Sequence, residues 1–409
     1  MQTESIPQTA NAVPGGRFIY IACPWTPKGG GMFKVADYLI QAQAFPPPPG
    51  VAELRPLDTR GGASALFSAW VLATALAKLV RGRLSGRLAG VHVNMAERLS
   101  LFRKGIVIVM CRTLGVPVVL HLHAAQLHHS YRALPRSLQA LTRWVFSLPA
   151  SCVVLGTAAK GFVTSELKVP ASRVEIVING VPEPTEPRRK PSEGAVQHVL
   201  FLGNLSERKG VSDLLQALAQ SGFDRSRLAV SLAGGGDIES YQKKAQALHV
   251  DSFVHFEGWS DQHKVAQLMA RADVLVLPSY DEGLPLVILE ALANGVAVVC
   301  SPVGEIPTVL SDRVSAYFVQ AGDVTGLARA LQDVLREPGL MDTLERNGRR
   351  LYEQKFSLPR FSASVARVHQ RHFGISGQPL PGGAGPGARN AAAAAAGVPA
   401  VAGPEGKSP

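Results

Sequence analysis

One stretch of the sequence, residues 272–300, constrains the fold more than any other. Short apolar runs at 272–278 and 295–300 predict two buried strands. Between them, a polar loop containing Gly283 leads through Pro285 into an apolar helix. Strands joined in this way are parallel with a right-handed crossover, and ligands collect at the carboxyl ends of such strands. The sequence therefore predicts a parallel sheet with this loop at its ligand-binding edge.

The start of the predicted helix is suited to an anion. Pro285 fits the first helical turn, where its missing N–H is no loss. The amides of Glu282, Gly283 and Leu284 then lie at the positive end of the helix dipole, which favours a phosphate. Glu290 lies about 7.5 Å past Pro285 along the helix axis, and its carboxylate is placed to accept hydrogen bonds from two ribose hydroxyls. Glu282 is placed to reach a sugar on the other side of the phosphates, so the layout fits a sugar nucleotide.

The spacing of these two glutamates is also similar to a known signature. Glu282 and Glu290 resemble the Glu-x7-Glu pattern of retaining GT-B glycosyltransferases of family 4, and residues 301–307 resemble that family too. The resemblance covers roughly residues 17–374. It implies an α/β protein of GT-B fold, with two Rossmann-like domains whose parallel sheets face a cleft. For the glutamate pair alone, the alternative is an amphipathic helix with a capping acid and a solvated carboxylate.

Alternating strand and helix patterns predict two domains joined by a linker. Sequence composition predicts disorder at both ends, where Gly, Ala and Pro dominate the C-terminal tail. In the resembling family, a last helix crosses back to the first domain. The predicted segments are a disordered N-terminus at 1–16, a first domain at 17–182, a linker at 183–195, a second domain at 196–355, a returning helix at 356–374 and a tail at 375–409.

Two further segments of the first domain follow predicted strands. The loop Gly29, Gly30 and Gly31 opens a helix, and glycines there let backbone amides approach a diphosphate or a sugar closely. An ordinary turn is the alternative. His121 and His123 share one face beyond the strand at 116–121. In the resembling family a histidine near the transferred sugar corresponds to His123, whereas His121 is as readily a core residue.

A cationic loop follows the first strand of the second domain. Lys209 and Gly210 match the Lys-Gly pair of the family, whose cation lies on the donor diphosphate. Asn204 stands where the family has an arginine, and Arg208 is the candidate to replace that charge from another backbone position. Preorganised cations suit this chemistry, because charge builds on the leaving phosphate as the glycosidic bond breaks. Solvated loop charges are the alternative.

The helix geometry and the resemblance together give each of these residues an expected role. The expected catalytic residues are His123, Glu282 and Lys209. The expected substrate-binding residues are Gly29, Gly30, Gly31, Asn204, Arg208, Gly283, Leu284 and Glu290. No metal ligands and no cofactor are expected, since a nucleotide-diphosphate sugar is the substrate and an obligatory metal is not part of the resemblance.

Composition adds a prediction about partners. Lys and Arg number 42 against 31 Asp and Glu, a net charge of +11, which suggests an anionic partner. Nucleic acid is disfavoured, because no recognition motif accompanies the charge. Anionic lipid or a lipid diphosphate acceptor is the candidate partner for a basic set of residues with apolar neighbours in the first domain. That set is Arg81, Arg83, Arg87, Arg98, Arg103, Lys104, Arg132, Arg136 and Arg143, with Tyr131 and Trp144. Scattered surface charges that keep the protein soluble are the alternative.

The same features suggest a location. The apolar run at 63–80 is barely as long as the shortest membrane spans, so we expect a buried helix of an α/β domain there. Four scattered cysteines, Cys23, Cys111, Cys152 and Cys300, indicate reduced thiols in a cytoplasmic protein. The expected setting is thus cytoplasmic, with peripheral binding to the inner face of the cell membrane.

The expected function is transfer of a UDP- or GDP-linked sugar, with retention, to a glycan. A lipid-linked oligosaccharide in polysaccharide or exopolysaccharide biosynthesis is the favoured acceptor. A soluble acceptor, a non-catalytic module that binds sugar nucleotides and an epimerase of the same fold are the alternatives.

Overall fold

The chain forms two α/β domains around two separate parallel sheets. The computed structural model describes residues 16–26, 30–62, 64–97, 99–124, 126–189 and 195–378. The strands of the first domain are β1 (Phe18–Cys23), β2 (Glu53–Asp58), β3 (Leu88–Met95), β4 (Val118–Leu122), β5 (Ser151–Val154) and β6 (Val174–Ile176). Its helices are α1 (Gly31–Gln41), α2 (Ala65–Leu84), α3 (Leu99–Thr113), α4 (Leu127–Arg132), α5 (Arg136–Ser147) and α6 (Thr157–Ser165).

The second domain repeats this alternation. Its strands are β7 (Gln197–Leu202), β8 (Leu228–Ala233), β9 (Val254–Gly258), β10 (Val274–Leu277), β11 (Ala297–Cys300) and β12 (Tyr317–Phe318). Its helices are α7 (Val211–Ala219), α8 (Ile238–Ala247), α9 (Gln262–Arg271), α10 (Leu286–Ala293), α11 (Ile306–Val309), α12 (Val324–Arg336) and α13 (Pro338–Leu351). A last helix, α14 (Leu358–Phe373), follows a π-helical turn at Tyr352–Phe356.

Both sheets reverse their strand order at one internal point. The first sheet has the order β2-β1-β3-β4-β5-β6, and the second has β12-β11-β10-β7-β8-β9. The reversals fall between β1 and β3 and between β7 and β10, where ligands bind in open parallel sheets. The predicted α/β architecture with two parallel sheets is confirmed, and the loops after β7 and β10 lie beside each other.

Two strands were not predicted, and both lie at sheet edges. β2 contains Pro56, which lacks the N–H that a central strand needs. It pairs only with β1 on one side, and an edge position tolerates proline. β12 has two residues and is too short for a periodic pattern.

Helix α2 carries the apolar run in which we expected a buried helix, and that expectation is wrong in part. Val71, Ala75, Leu79 and Gly82 are buried, which leaves most of the helix surface exposed. By length and composition, α2 is the one helix of the described chain that could span a membrane, and 22% of its most apolar window is buried.

Helix α14 returns to the first domain. Ser357 pairs with Val181 just before α14 begins, and Phe361 and Phe373 are buried beyond it. The ring of Phe373 lies where a side chain on Gly90 of β3 would have its Cβ, about 2.4 Å away. Only glycine at position 90 therefore lets α14 dock on the sheet.

A chain of buried histidines joins α14 to the first sheet. His92 on β3 lies between His369 on α14, with 2.8 Å between Nδ1 and Nε2, and His121 on β4, with 3.2 Å between Nε2 and Nδ1. Burial lowers the pKa of His92 to about 4 and holds the pKa values of His121 and His369 well below the usual range. The ring of His123 lies against that of His121, tilted by 36° with centroids 4.1 Å apart. Burial, and to a smaller extent the neighbouring His92, lower the pKa of His123 to about 3.

These neutral rings predict a loss of stability in mild acid. Below about pH 6.5 the unfolded chain binds protons that the folded protein does not, so the free energy of unfolding should fall as pH falls. For each of the four histidines the slope should approach about 1.4 kcal/mol per pH unit as the pH falls from about 6.5 to 5, above the range of the carboxylates. Urea unfolding at several pH values measures this slope. Replacement of an exposed histidine, His263→Gln, should leave it unchanged, and a flat profile would contradict neutral burial.

Candidate functional site

A cavity of about 570 Å³ lies between the two domains at the carboxyl edges of both sheets. It is the place where the predicted site residues meet. The predicted residues in its lining are Gly30, Gly31, His123, Asn204, Arg208, Lys209, Glu282, Gly283, Leu284 and Glu290. Gly29 lies outside the described residues.

Two helix N-termini converge on this cavity. α10 begins at Leu286, so Pro285 is its N-cap and not, as predicted, a residue of the first turn. The amides of residues 283 and 284 still lie at the positive end of the helix. α1 begins opposite at Gly31, where a Cβ would lie 3.5 Å from Leu286 Cδ1. The two positive helix ends therefore face the same space, a favourable environment for phosphate.

Lys209 and Glu282 form an ion pair at the switch point of the second sheet. The pair joins the loop after β7 to the loop after β10, and both side chains are about nine-tenths buried. Gly210, with φ +69°, makes this approach possible, because a Cβ there would lie 2.1 Å from Pro278 O. An ammonium has three N–H groups, so the pair leaves two donors of Lys209 for a ligand.

Glu290 is held by the other domain. Its Oε1 accepts hydrogen bonds from Lys34 Nζ at 2.9 Å and from Tyr38 Oη at 3.3 Å, both on α1. Burial, then the charge of Glu290, raise the pKa of Tyr38, so the hydroxyl stays protonated as a donor. A carboxylate accepts about four hydrogen bonds, so Glu290 keeps capacity for ligand hydroxyls.

Arg208 and Asn204 line the outer part of the cavity. Arg208 is exposed, and its Nη1 donates to Asp281 O at 2.6 Å, which ties it to the loop that carries Glu282. Asn204 is exposed too, and its Oδ1 would lie 3.4 Å from a Cβ on Gly235. The guanidinium of Arg208 thus lies at the cavity wall, although it comes from a different position than the arginine of the resembling family.

His123 faces the cavity as a neutral ring with a defined tautomer. Its Nε2 lies 2.8 Å from Asn94 Oδ1, an acceptor, so Nε2 carries the proton. Nδ1 is then free of a proton and able to accept a hydrogen bond from a sugar hydroxyl. His121 is fully buried in the histidine chain, which decides between its two readings in favour of a core residue.

A second cavity of about 670 Å³ adjoins the first and shares His123, Glu282 and Gly283 with it. α4 and α6 of the first domain form one wall, and the loop 303–305 of the second domain forms the other.

Glu305 fastens the two domains together at this second cavity. Its carboxylate accepts hydrogen bonds from the amides of Ala159 at 2.7 Å and Ala158 at 3.4 Å, at the N-terminus of α6. Glu305 is only 3% exposed. Gly156 leaves the necessary room, because a Cβ there would lie 2.1 Å from Glu305 Oε2.

Several residues that line the first cavity or support its lining were not predicted from the sequence. Lys34 and Tyr38 belong to no recognisable sequence motif. Their position, one and two helical turns after the glycine loop, was the available signal. Gly234 and Gly235 end β8 and line the cavity, and the triple glycine at 234–236 was a usable signal. Trp259 follows β9 and is half-exposed, and no sequence pattern indicated that it would line the cavity. No group of three or more His, Cys, Asp or Glu in the described part of the chain is arranged to hold a metal ion.

Comparison with known proteins agrees with this geometry. Residues 183–351, the greater part of the second domain, match the family model "Glycosyl transferases group 1". Solved structures match nearly the whole chain: HepE from Anabaena in complex with UDP has a TM-score of 0.68 at 17% identity, covering 87% of this chain and 100% of that one. Sucrose-phosphate synthase from Thermosynechococcus elongatus has a TM-score of 0.68 at 18% identity, covering 87% and 98%.

The fold is GT-B. That prediction is confirmed by the likeness to these solved structures. Among curated proteins, glycogen synthase from Mycobacterium tuberculosis is 26% identical over 272 residues, 64% of this chain and 65% of that protein. D-inositol 3-phosphate glycosyltransferase from Streptomyces avermitilis is 34% identical over 151 residues, 34% of this chain and 32% of that protein. The chain thus spans less than two thirds of the length of these relatives.

The contact at Glu305 predicts a measurable coupling between the domains. Glu305→Ala removes the acceptor at the N-terminus of α6, and we expect the free energy of unfolding to fall by about 1–2 kcal/mol. Gly156→Ala should act in the same direction, because its methyl group displaces the carboxylate. Amide hydrogen exchange at positions 158 and 159 should speed up in both variants.

Gly161→Ala on the same helix is the matched control, since its new Cβ would meet no atom within 4 Å. We expect it to retain full stability. Unchanged stability and exchange in Glu305→Ala would contradict the role of this contact.

Proposed function

We propose that this protein transfers a sugar from a nucleotide-diphosphate sugar to a glycan acceptor, with retention at the anomeric carbon. The observation that carries the proposal is the meeting of Glu282, Glu290 and Lys209 with two helix N-termini in one interdomain cavity. The match of residues 183–351 to group 1 glycosyl transferases supports it, as does the likeness of the fold to HepE in complexes with UDP and UDP-glucose.

On the donor side, each part of the nucleotide has a complementary group. The ribose hydroxyls donate to Glu290, whose carboxylate Lys34 and Tyr38 already orient. The diphosphate rests on the amides of Gly283 and Leu284 and on Lys209, with Arg208 at the cavity wall. The base then lies toward Trp259, whose exposed ring offers a stacking surface.

At the reacting carbon, the main requirement is to stabilise charge on the leaving phosphate. Lys209 is held in place by Glu282, so its remaining N–H groups are preorganised for that charge and need little rearrangement during reaction. Glu282 and the unprotonated Nδ1 of His123 accept hydrogen bonds from the hydroxyls of the sugar. The leaving phosphate takes the proton of the acceptor hydroxyl. We propose no obligatory metal, because these cations and helix ends serve the diphosphate directly.

The acceptor approaches from the second cavity, which shares His123 and Glu282 with the donor site. Contact between the domains at Glu305 keeps this cavity closed on two sides and limits the access of water to the donor. We propose a lipid-linked oligosaccharide of a polysaccharide pathway as the acceptor, on the cytoplasmic face of the membrane. A soluble acceptor is the alternative.

A panel of UDP-, GDP- and ADP-sugars tests this proposal. We expect one of them to raise the melting temperature and to be hydrolysed slowly without acceptor, and chelation of divalent ions to leave that rate unchanged. Glu290→Gln should weaken nucleotide binding about tenfold or more, because a charged acceptor is lost. Glu282→Gln should lower turnover about a hundredfold or more, since Lys209 loses its orientation, and should spare binding of the free nucleoside diphosphate.

Glu239→Gln is the matched control, because this exposed glutamate on α8 makes only a surface ion pair. Stabilisation without turnover, even with membrane lipid extract added, would favour a non-catalytic binding module. If no sugar nucleotide stabilised the protein, the proposal would be wrong.

A further inference from the structure

The positive charge of this protein is concentrated in one domain. Residues 17–182 contain 19 Lys and Arg against six Asp and Glu, whereas residues 183–409 contain 23 against 24. The imbalance is greatest between positions 59 and 165, with 13 Lys and Arg and a single acid, Glu97. The carboxylate of Glu97 is hydrogen-bonded within the protein, since its Oε1 accepts from the backbone N–H of Gln126 at 2.6 Å.

Large apolar side chains are exposed in the same part of the chain. Leu66, Phe67 and Trp70 project from the first two turns of α2, and Leu99 and Phe102 from the first turn of α3. Their exposed fractions run from 41% for Phe67 to 86% for Leu66. We call these five residues the apolar rim.

The topology places the rim near the site. α2, α3 and α5 pack side by side on one face of the first sheet, as the contacts of α3 with both neighbours show. α2 and α3 each begin just after the carboxyl end of a strand, and that edge of the sheet borders the interdomain cavities. The rim therefore lies at the same end of the domain as His123 and the glycine loop.

Arginines lie beside the rim, at the starts of the same helices. Arg60 precedes α2, Arg103 follows Phe102 on α3, and Arg136 begins α5. Other residues of the basic set predicted from sequence lie elsewhere. Lys104 is fully buried with its Nζ 2.7 Å from Thr59 Oγ1, and Tyr131 is buried against Phe162. Arg81 and Arg83 lie in the last turn of α2, at the end opposite to the rim. Arg98 lies outside the described residues. Arg60, Arg103 and Arg136, together with the exposed aromatic rings of the rim, combine the two features that bind an anionic bilayer interface.

We propose that the apolar rim inserts into the headgroup region of an anionic lipid bilayer, with the surrounding arginines on its phosphates. The face that α2 leaves uncovered is then a docking surface, and the helix lies along the interface without crossing it. This proposal rests on the proposed function in one respect: it places the interdomain cleft at the membrane surface, where an acceptor carried on a lipid can reach it.

Sedimentation of the full-length protein with lipid vesicles tests the proposal. We expect binding to vesicles of phosphatidylglycerol and phosphatidylcholine, weak binding to phosphatidylcholine alone, and weaker binding to both in high salt. The variant Phe67→Ser/Trp70→Ser/Phe102→Ser should lose at least about tenfold in vesicle affinity. Leu84→Ser, at the opposite end of α2 and 82% exposed, is the matched control and should bind as the wild type.

Two further readouts separate the outcomes. Melting temperature and lipid-free hydrolysis of the donor should be unchanged in the triple variant, which shows that it is folded with an intact donor site. If hydrolysis is absent in wild type while vesicles bind, the transferase proposal fails and the docking surface stands. Absence of vesicle binding in wild type, or equal binding of the triple variant, overturns the docking proposal. A wild-type dimer that the triple variant dissociates, with no vesicle binding, assigns the rim to a second copy of the chain instead.

Discussion

The ion pair between Lys209 and Glu282 is the contact on which the candidate site depends. It joins the loops that follow β7 and β10, the two strands at the switch point of the second sheet. Burial makes such a pair costly to break, because either charge alone would lie in a poorly solvated place. Gly210 and Gly304 permit this packing: a Cβ on Gly304 would lie 1.9 Å from Glu282 O. Contacts within the second domain therefore fix the positions of Lys209 and Glu282. The first domain adds Lys34, Tyr38 and His123 to the site.

The fold and the part of the site around Glu282 and Glu290 were predictable because their signals are local. Glu282, Gly283 and Glu290 belong to one strand–loop–helix unit, and the apolar runs around them match the observed strands within a few residues. Edge strand β2 escaped prediction because Pro56 breaks the pattern, and the start of α10 differs from the prediction by one residue at Pro285. Resemblance to a family added His123, whose role no periodicity could supply.

Contacts between the domains could not be predicted from the sequence. Lys34 meets Glu290 across 256 positions and Glu305 meets Ala159 across 146, so only the packed domains reveal them. The solvent exposure of individual side chains could not be predicted either. The run at 63–80 has the pattern of a core helix, yet Leu66 and Trp70 lie on the surface. Lys104 was expected to be a surface cation, and it is buried. Composition alone gave +11 and an anionic partner, and the structure shows in which domain that charge lies.

Recognition of the ribose by Glu290 is the central claim, and a thermodynamic cycle tests it most directly. The affinity of the preferred nucleoside diphosphate and of its 2′,3′-dideoxy analogue would be measured by calorimetry for wild type and Glu290→Gln. If the carboxylate binds these hydroxyls, their removal costs about tenfold or more in wild type and far less in the variant. An equal loss in both proteins would show that Glu290 does not contact the ribose, and would contradict the account.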